Sequence, residues 1–200
     1  MSKQLIISVS REYGSGGHII AAQIAAKLDL PLYDYSMLNK IAADKNLNLK
    51  RIEKYDEMPK NRLFSRNVRG FSNSPEENIA NLQFDYLRQE AEQGKSFVVL
   101  GRCAEAVLQD YECMIPIFIL ADREYKIERT MKCENISREK AEQLVHYQNK
   151  KRKEYHNYHC TGKWGDARYY DMTINCGKLG LDKTTDILLD YIQTKAGIES

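Results

Sequence analysis

The sequence contains little of what marks membrane, secreted or nucleic-acid-binding proteins. No apolar run approaches the roughly 20 residues that a membrane-spanning helix needs. No signal-peptide pattern precedes the first apolar segment, so we expect a cytoplasmic location and no membrane partner. The net charge is only +2, which does not by itself favour binding to nucleic acid.

Cysteine is also sparse, and its spacing excludes a disulfide framework. The five cysteines lie far apart and no two of them form a C-x-x-C pair, which predicts reduced thiols. The nearest approach to a metal-binding pattern is His156, His159 and Cys160. Structural zinc sites usually have a full set of four ligands, and a second ligand pair is not evident, so we predict no metal site of this kind.

A glycine-rich turn near the start of the chain is the strongest functional signal. The apolar run 6–10 is followed by three glycines within positions 14–17, and a helical pattern of apolar residues begins directly after them. Glycines leave the backbone N–H groups accessible, and the following helix adds the positive end of its dipole. The segment 14–19 therefore predicts a phosphate-binding loop. A plain tight turn between strand and helix is the alternative.

The turn departs from the common phosphate-loop pattern G-x-x-x-x-G-K-S/T. Arg11 stands at the first glycine of that pattern, Gly17 at the lysine, and His18, or Ile19 with one residue of slack, at the hydroxyl position. The fixed cation and the Mg²⁺-binding hydroxyl are therefore both missing, and Arg11 or His18 could supply the positive charge. The predicted cofactor-binding residues are Arg11, Gly14, Ser15, Gly16, Gly17, His18 and Ile19.

Strand-like and helix-like segments alternate along the whole chain. We expect strands at 4–10, 31–33, 97–100, 115–120 and 171–175, and helices at 18–28, 35–58 (as two), 75–93, 104–109, 123–133, 137–158 and 182–194. This alternation predicts parallel β-α-β units in a three-layer α/β fold with about five parallel strands. Ligands bind beyond the carboxyl ends of such strands, so we expect segments 14–18, 33–34, 101–102 and 121–122 to gather at one edge.

Three blocks of sequence resemble the cytidylate kinase-like family, whose members are relatives of the nucleoside monophosphate kinases. They are the stretch 7–28 with Pro31-Leu32-Tyr33-Asp34, the stretch Val98-Val99-Leu100-Gly101-Arg102, and the C-terminal stretches Tyr158-His159-Cys160-Thr161-Gly162-Lys163-Trp164-Gly165-Asp166 and Tyr170-Asp171-Met172-Thr173-Ile174-Asn175. The resemblance implies a single P-loop kinase domain, 1–200, with a helical acceptor-binding insertion around 35–93 and a lid around 137–170.

The resemblance also implies roles for individual residues. Phosphoryl transfer requires positioning and charge neutralisation, and arginine suits both tasks. In the family the residue at Arg102 faces the acceptor phosphate, and basic lid residues such as Arg152 close over the phosphates. We therefore consider Arg102, Arg152 and His18 candidate catalytic residues. Related sequences often carry aspartate where this chain has Cys103 and Asn149, and arginine where it has His18.

The candidate acceptor-binding residues are Asp34, Arg62, Arg66, Arg102 and Lys150. Residues 59–74 carry four cations and no acid, which indicates either an anionic partner or a solvated loop. Asp34 would meet the acceptor base or sugar by resemblance, but it could equally cap the helix that follows it. The basic run 150–153 belongs either to the lid or to a solvated helix face.

The function that we predict is ATP-dependent phosphoryl transfer, with Mg²⁺, to a nucleoside monophosphate such as CMP by resemblance. One alternative is a nucleotide-binding regulatory protein with little or no kinase activity, because the lysine of the phosphate loop is missing. Another is a kinase for a different small hydroxyl or phosphate compound. A nucleic-acid-binding module is the least favoured alternative because the net charge is small. The oligomeric state is not predicted.

Overall fold

Five parallel strands form the central sheet of the computed structural model, which describes residues 4–44, 67–68, 71–72 and 74–197. In chain order, all described strands are β1 (Ile6–Arg11), β2 (Leu32–Tyr33), β3 (Asn67–Val68), β4 (Phe71–Ser72), β5 (Phe97–Leu100), β6 (Met114–Leu120) and β7 (Met172–Asn175). Strands β3 and β4 form a separate pair outside the central sheet. The sheet order is β2-β5-β1-β6-β7, and all of its pairings are parallel. The predicted α/β fold with its parallel sheet is therefore confirmed.

Helices cover the sheet and connect its strands. They are α1 (Gly17–Lys27), α2 (Met37–Asp44), α3 (Pro75–Glu92), α4 (Ala104–Val107), α5 (Arg123–Glu134), α6 (Arg138–His159), α7 (Cys176–Leu179) and α8 (Leu181–Ala196). A 3₁₀ turn spans Ala167–Tyr169. None of the described helices combines the length and hydropathy that crossing a membrane would require.

The side chains of β1 connect two hydrophobic layers, one on each face of the sheet. Ile7 and Val9 are fully buried against α1 and α8, whereas Ile6 is fully buried against α2 and α3. Successive residues of a strand point to opposite faces, so this one short strand contributes to both layers. Burial of such a side chain is worth about 1.5–3 kcal/mol, and the central position of β1 holds its C-terminal loop in place.

Two helix starts follow the expected capping chemistry. The Ser74 hydroxyl accepts a 3.4 Å hydrogen bond from the Glu77 N–H, with Pro75 in the first turn of α3. The Ser137 hydroxyl accepts a 3.5 Å hydrogen bond from the Lys140 N–H at the start of α6. Each side chain satisfies one of the backbone donors that a helix leaves open at its beginning.

The region between α2 and α3 differs from the expectation where the structure describes it. No strand or helix was expected between the helices at 35–58 and 75–93, but β3 and β4 pair as a short antiparallel hairpin, with Val68 opposite Phe71. The helix expected around 45–58 lies outside the described residues. The 3₁₀ turn and α7 were also not predicted, because each has only one turn and so gives no apolar periodicity.

Candidate functional site

The loop between β1 and α1 presents a row of backbone donors. Gly14 and Gly16 have φ angles of 78° and 85°, in the left-handed region that glycine adopts without steric cost. Among the described residues, no acceptor takes the N–H groups of Gly14, Gly16, His18 and Ile19. These donors stand at the N-terminal end of α1, where the helix dipole also favours negative charge. The loop therefore has the chemistry of a phosphate-binding site.

Ser15 supports this loop from inside. Its side chain is fully buried, and its hydroxyl donates a 2.8 Å hydrogen bond to the Glu12 carbonyl. The same hydroxyl accepts a 3.4 Å hydrogen bond from the Gly17 N–H. Ser15 therefore stabilises the turn through its side chain, and only its backbone can face a ligand.

The missing lysine has a steric explanation in the structure. A Cβ atom built on Gly17 would lie 2.6 Å from the Cβ of Arg11, closer than carbon atoms approach without rearrangement. The stem of Arg11 thus occupies the space that a side chain at position 17 would need. A cation for the phosphates has to come from another position in this loop or from a neighbouring helix.

Three arginines from different elements line a cavity of about 540 Å³ over the loop: Arg11 from β1, Arg129 from α5 and Arg152 from α6. Arg129 was not predicted from the sequence. Its Nε lies 3.5 Å from the place where a Cβ on Gly16 would stand, and it forms no ion pair among the described residues. The helical spacing of Lys126, Arg129, Thr130 and Cys133 was the one available signal that this face of α5 meets the loop.

His18 and Asp34 form a pair at the rim of this cavity. His18 Nε2 lies 3.0 Å from Asp34 Oδ2, and Asp34 Oδ1 accepts a 2.8 Å hydrogen bond from the Ser36 N–H. Burial raises the pKa of Asp34, but the hydrogen bonds from Ser36 and His18 outweigh it and hold this pKa below its usual value. Asp34 thus shapes the turn before α2 and also orients His18, and its predicted role toward the acceptor stays a prediction.

Arg102 lies at the end of β5, in a small cleft that adjoins the loop cavity. Its backbone is left-handed, with a φ angle of 62°, and its side chain is buried. The cleft has a volume of about 20 Å³ and is lined by Arg11, Arg102, Arg152 and His156 among other residues. Arg11 and Arg152 therefore line both the loop cavity and the Arg102 cleft.

Helix α6 contacts the loop directly through two neighbouring side chains. Asn149 Oδ1 accepts a 2.6 Å hydrogen bond from the Tyr13 N–H, and Arg152 donates a 3.4 Å hydrogen bond to the Arg11 carbonyl. The Arg152 guanidinium also lies over the Tyr13 ring, 5.5 Å from its centroid. These contacts place Arg152 at the loop without requiring any motion of α6.

Lys150, which was predicted to bind the acceptor, lies on another face of α6. It is exposed and its Nζ lies 3.9 Å from Glu154 Oε1. It lines a separate groove between α5 and α6 and is not among the residues around the loop cavity. Arg62 and Arg66, with Lys60 and Arg69, lie outside the described residues, so their predicted role stays a prediction.

Glu12 is engaged in a local ion pair. Lys126 Nζ lies 2.7 Å from Glu12 Oε2, and the Ala121 N–H donates a 3.3 Å hydrogen bond to the same oxygen. These two contacts connect the loop to the start of α5.

The histidine and cysteine pattern at the end of α6 assembles differently from the sequence expectation. Glu105 from α4 joins His156 and Cys160, and the donor atoms of the three side chains lie within 4.8 Å of one another. The ring of His159 packs instead against Phe84, Tyr155 and Tyr158. Glu105 was missed because nothing local in the sequence indicates its contact with α6.

Comparison with known proteins agrees with this geometry. The model of the cytidylate kinase-like family matches residues 6–178. A crystal structure of an uncharacterized protein from Eubacterium ventriosum ATCC 27560 is 35% identical with a TM-score of 0.77, and the match covers 96% of this chain and 99% of that one. No curated protein matches the chain significantly.

Shikimate kinases share the fold at low identity. The enzyme from Acinetobacter baumannii, solved in complex with shikimate, is 14% identical with a TM-score of 0.55 and coverage of 96% of this chain and 95% of that chain. The enzyme from Bacteroides thetaiotaomicron is 12% identical with a TM-score of 0.55 and coverage of 95% and 96%. These likenesses concern the P-loop kinase fold alone. The match of the family model over residues 6–178 shows that the chain belongs to the cytidylate kinase-like family.

Proposed function

We propose that this protein is a phosphotransferase that moves the γ-phosphoryl group of ATP to a nucleoside monophosphate such as CMP. The observation that carries the proposal is the placement of Arg11 and Arg152 on both the glycine-loop cavity and the Arg102 cleft. A phosphoryl group in transfer needs positive charge that reaches donor and acceptor at once. The family supports the reaction type, and CMP is the acceptor that the resemblance favours.

The donor phosphates would bind at the glycine loop. The open N–H groups of Gly14, Gly16, His18 and Ile19 would donate to phosphate oxygens at the N-terminal end of α1. Arg129 would supply the cation that the common motif takes from its lysine, since its guanidinium already lies beside Gly16. Arginine can hold phosphate with two parallel hydrogen bonds, so this replacement keeps the electrostatic function.

The acceptor phosphate would be held by Arg102. Because Arg102 is buried beside Arg11 and Arg152, the acceptor would lie next to the donor across those two side chains. A phosphate acceptor is already anionic at neutral pH, so no side-chain base is required. Catalysis would then consist of positioning and of neutralising the charge that develops on the transferred group.

Magnesium would neutralise charge on the donor phosphates when it is bound. The loop has no hydroxyl at His18 or Ile19, and Glu12 is held by Lys126. Apart from the Tyr13 and Tyr35 hydroxyls, the remaining side-chain oxygens of the cavity belong to Glu134 and to Thr130, whose buried Oγ1 forms no hydrogen bond with described residues. Thr130 and Glu134 would therefore hold the ion, largely through its waters, as magnesium usually keeps several of them.

A nucleotide-binding regulator is the second candidate function. Asn149 occupies the Tyr13 N–H, which leaves the loop one donor fewer for phosphate. The loop also lacks its own lysine at Gly17. A protein of this kind would bind ATP through the remaining donors but turn it over little.

The test is a coupled ADP-release assay with ATP and Mg²⁺ against a panel of nucleoside monophosphates, with calorimetry of ATP binding. We expect turnover that depends on CMP or dCMP and falls by about two orders of magnitude in Arg102→Ala. Arg88→Ala is the matched control, since Arg88 is exposed on α3 and pairs with Asp85. ATP binding without turnover on any acceptor would support the regulator, and absence of ATP binding would overturn both functions.

A further inference from the structure

A second polar cluster lies beside the Arg102 cleft and has no part in the proposed reaction. Glu105 Oε1 lies 2.6 Å from His156 Nε2, and the side chains of these residues are only 3% and 7% exposed. The other carboxylate oxygen of Glu105 accepts hydrogen bonds from the Ser8 and Ser10 hydroxyls, at 3.4 and 3.2 Å. The carboxylate is thereby fixed, and it both orients the imidazole and stabilises its protonated form.

Cys160 completes this cluster on the side that faces solvent. Its Sγ lies within 4.8 Å of the donor atoms of Glu105 and His156. It is half-buried in the wall of a cavity of about 380 Å³ that also has His156 and Tyr170 in its lining. Cys103 is a buried member of the apolar cluster against which Cys160 packs. A small molecule in the cavity can thus reach the sulfur of Cys160.

We propose that Cys160 is a nucleophilic thiolate, activated by the His156–Glu105 pair, that reacts with small hydroperoxides and then forms a disulfide with Cys103. The cationic imidazole favours the thiolate, as in other reactive cysteines. Glu105 and the serines that hold it are positioning residues. Neither step depends on phosphotransfer, so the proposal stands apart from the kinase function.

The electrostatic surroundings favour the same protonation state. The hydrogen bond from Cys103 lowers the pKa of Cys160, burial raises it, and His156 lowers it further, to about 6. Burial lowers the pKa of His156, but the contacts with Cys160 and Glu105 raise it to about 10. The other titratable or charged groups around this cavity are Tyr111, Glu112, Arg168, Tyr169, Tyr170, Asp171 and Lys195.

The reaction balances with the hydroperoxide as the only co-reactant. The Cys160 thiolate attacks an oxygen of the hydroperoxide, so a sulfur–oxygen bond forms and the oxygen–oxygen bond breaks. The alkoxide or hydroxide that leaves takes its proton from the His156 imidazolium, and Cys160 becomes a sulfenic acid. The Cys103 sulfur then displaces hydroxide from Cys160, and that hydroxide leaves as water with the Cys103 proton. Two thiols are oxidised and the peroxide is reduced.

Alkylation with iodoacetamide tests the activated thiolate in the unmodified protein, and EDTA in the buffer keeps metal ions from the thiols. The exposed Cys133 is the internal reference. At pH 6 we expect Cys160 to react roughly tenfold faster than Cys133. The larger thiolate fraction of Cys160 outweighs the lower nucleophilicity of a low-pKa thiolate. The Cys160 rate should level off above about pH 7. An equal or slower Cys160 rate at pH 6 would overturn the proposal.

A variant of His156 separates activation of the Cys160 thiol from its exposure to solvent. His156→Gln should lower the Cys160 rate at pH 6 to that of Cys133 if the imidazole activates the thiol. Because His156 is buried, this variant is used only if its circular dichroism and melting match the wild type, and otherwise the wild-type pH profile decides. A folded His156→Gln protein with an unchanged rate would contradict the activation.

Hydrogen peroxide is the probe for the second step, with peptide mass spectrometry under non-reducing conditions as the readout. We expect a Cys103–Cys160 disulfide before Cys133 is oxidised. In Cys103→Ala, the sulfenic acid should persist at Cys160 and be trapped by dimedone. Oxidation of Cys133 without the disulfide, or no dimedone adduct at Cys160 in Cys103→Ala, would refute the proposed pair.

Discussion

Asn149 and Tyr13 connect the long helix α6 to the glycine loop through a 2.6 Å hydrogen bond from the Tyr13 N–H to Asn149 Oδ1. The donor is a backbone group of the loop, so the position of α6 and the conformation of the loop are coupled. Arg152, one turn further along α6, reaches the Arg11 carbonyl at 3.4 Å. Helix α6, which was predicted to belong to a lid, is therefore already in contact with the glycine loop in this structure.

The first prediction concerns this hydrogen bond. Asn149→Ala should lower the free energy of unfolding by about 1 kcal/mol, because the Tyr13 N–H loses its partner. Asn149→Asp keeps the acceptor oxygen and should retain most of that stability. Urea denaturation measures both changes. Lys150→Ala is the control because Lys150 is exposed on the same helix, and an Asn149→Ala protein as stable as this control would contradict the prediction.

The second prediction concerns the close approach of the loop to α5. A Cβ on Gly14 would lie 2.8 Å from the Lys126 carbonyl oxygen, so Gly14→Ala should force the loop and helix apart. Gly94 has a similar φ angle of 72° with no atom near its Cβ position. Gly94→Ala should lower the free energy of unfolding by about 1–2 kcal/mol, because alanine is strained in the left-handed backbone conformation. Gly14→Ala should lower it by about 1–3 kcal/mol more, because of the clash with Lys126.

Both glycine variants should be measured by urea denaturation and by calorimetry of ATP binding. Gly14→Ala should also weaken ATP binding, whereas Gly94→Ala should leave the affinity unchanged because Gly94 lies far from the loop, at the end of α3. Equal losses of stability in the two variants would mean that the contact between the loop and Lys126 does not constrain Gly14.

The third prediction is that Arg129 of α5 supplies the positive charge that the phosphate loop lacks at Gly17. Arg129→Ala should weaken ATP binding about 10- to 100-fold, the effect of losing charge-assisted hydrogen bonds to phosphate. Arg129→Lys should recover part of that affinity because it keeps the charge without the planar fork. Arg123→Ala tests the same helix at an exposed position that pairs with Glu142. An Arg129→Ala affinity equal to that of Arg123→Ala would exclude Arg129 as the lysine replacement.

The fourth prediction follows from the lowered pKa of Asp34. The unfolded carboxyl titrates near pKa 3.9, and the hydrogen bonds from Ser36 and His18 outweigh burial and lower the folded value. The stabilisation is therefore present above about pH 4 and is lost as the pH falls through the folded pKa. Asp34→Asn should be less stable than the wild type at pH 6, and the difference should shrink as the pH falls toward that pKa.

Urea denaturation at pH 6 and at lower pH values provides the measurement for Asp34. Asp186→Asn is the control, because Asp186 is exposed and its contact is a surface pair with Lys27. That variant should follow the wild type at each pH. A difference between wild type and Asp34→Asn that stays constant on acidification would show that the carboxylate is not stabilised by its partners.

Much of the fold could be predicted because its signals are local. The apolar run through Val9, the glycines of the turn and the periodic apolar face of α1 each lie within a few residues of one another. The caps Ser74 and Ser137 act on their own helices in the same way. The short elements β3, β4 and α7 were missed because two to four residues are too few to show a periodic pattern of apolar residues.

It was harder to predict which residues line the site, because this depends on how the helices pack. The basic run 150–153 wraps around α6, and only packing decides that Arg152 meets the loop while Lys150 faces another groove. Arg129 belongs to α5, and its position beside Gly16 depends on the angle at which that helix crosses the loop.

The sequence by itself determined the parallel sheet, the glycine loop at its edge and the absence of a lysine from that loop. The apolar periodicity of the strands and helices and the glycines of the loop are each visible within a few neighbouring residues. Only the tertiary structure decided why position 17 is glycine, since the stem of Arg11 fills the space beside it. It also decided that Glu105 meets His156 and Cys160. Contacts between distant segments arise from the packing of whole layers, and no local pattern specifies them.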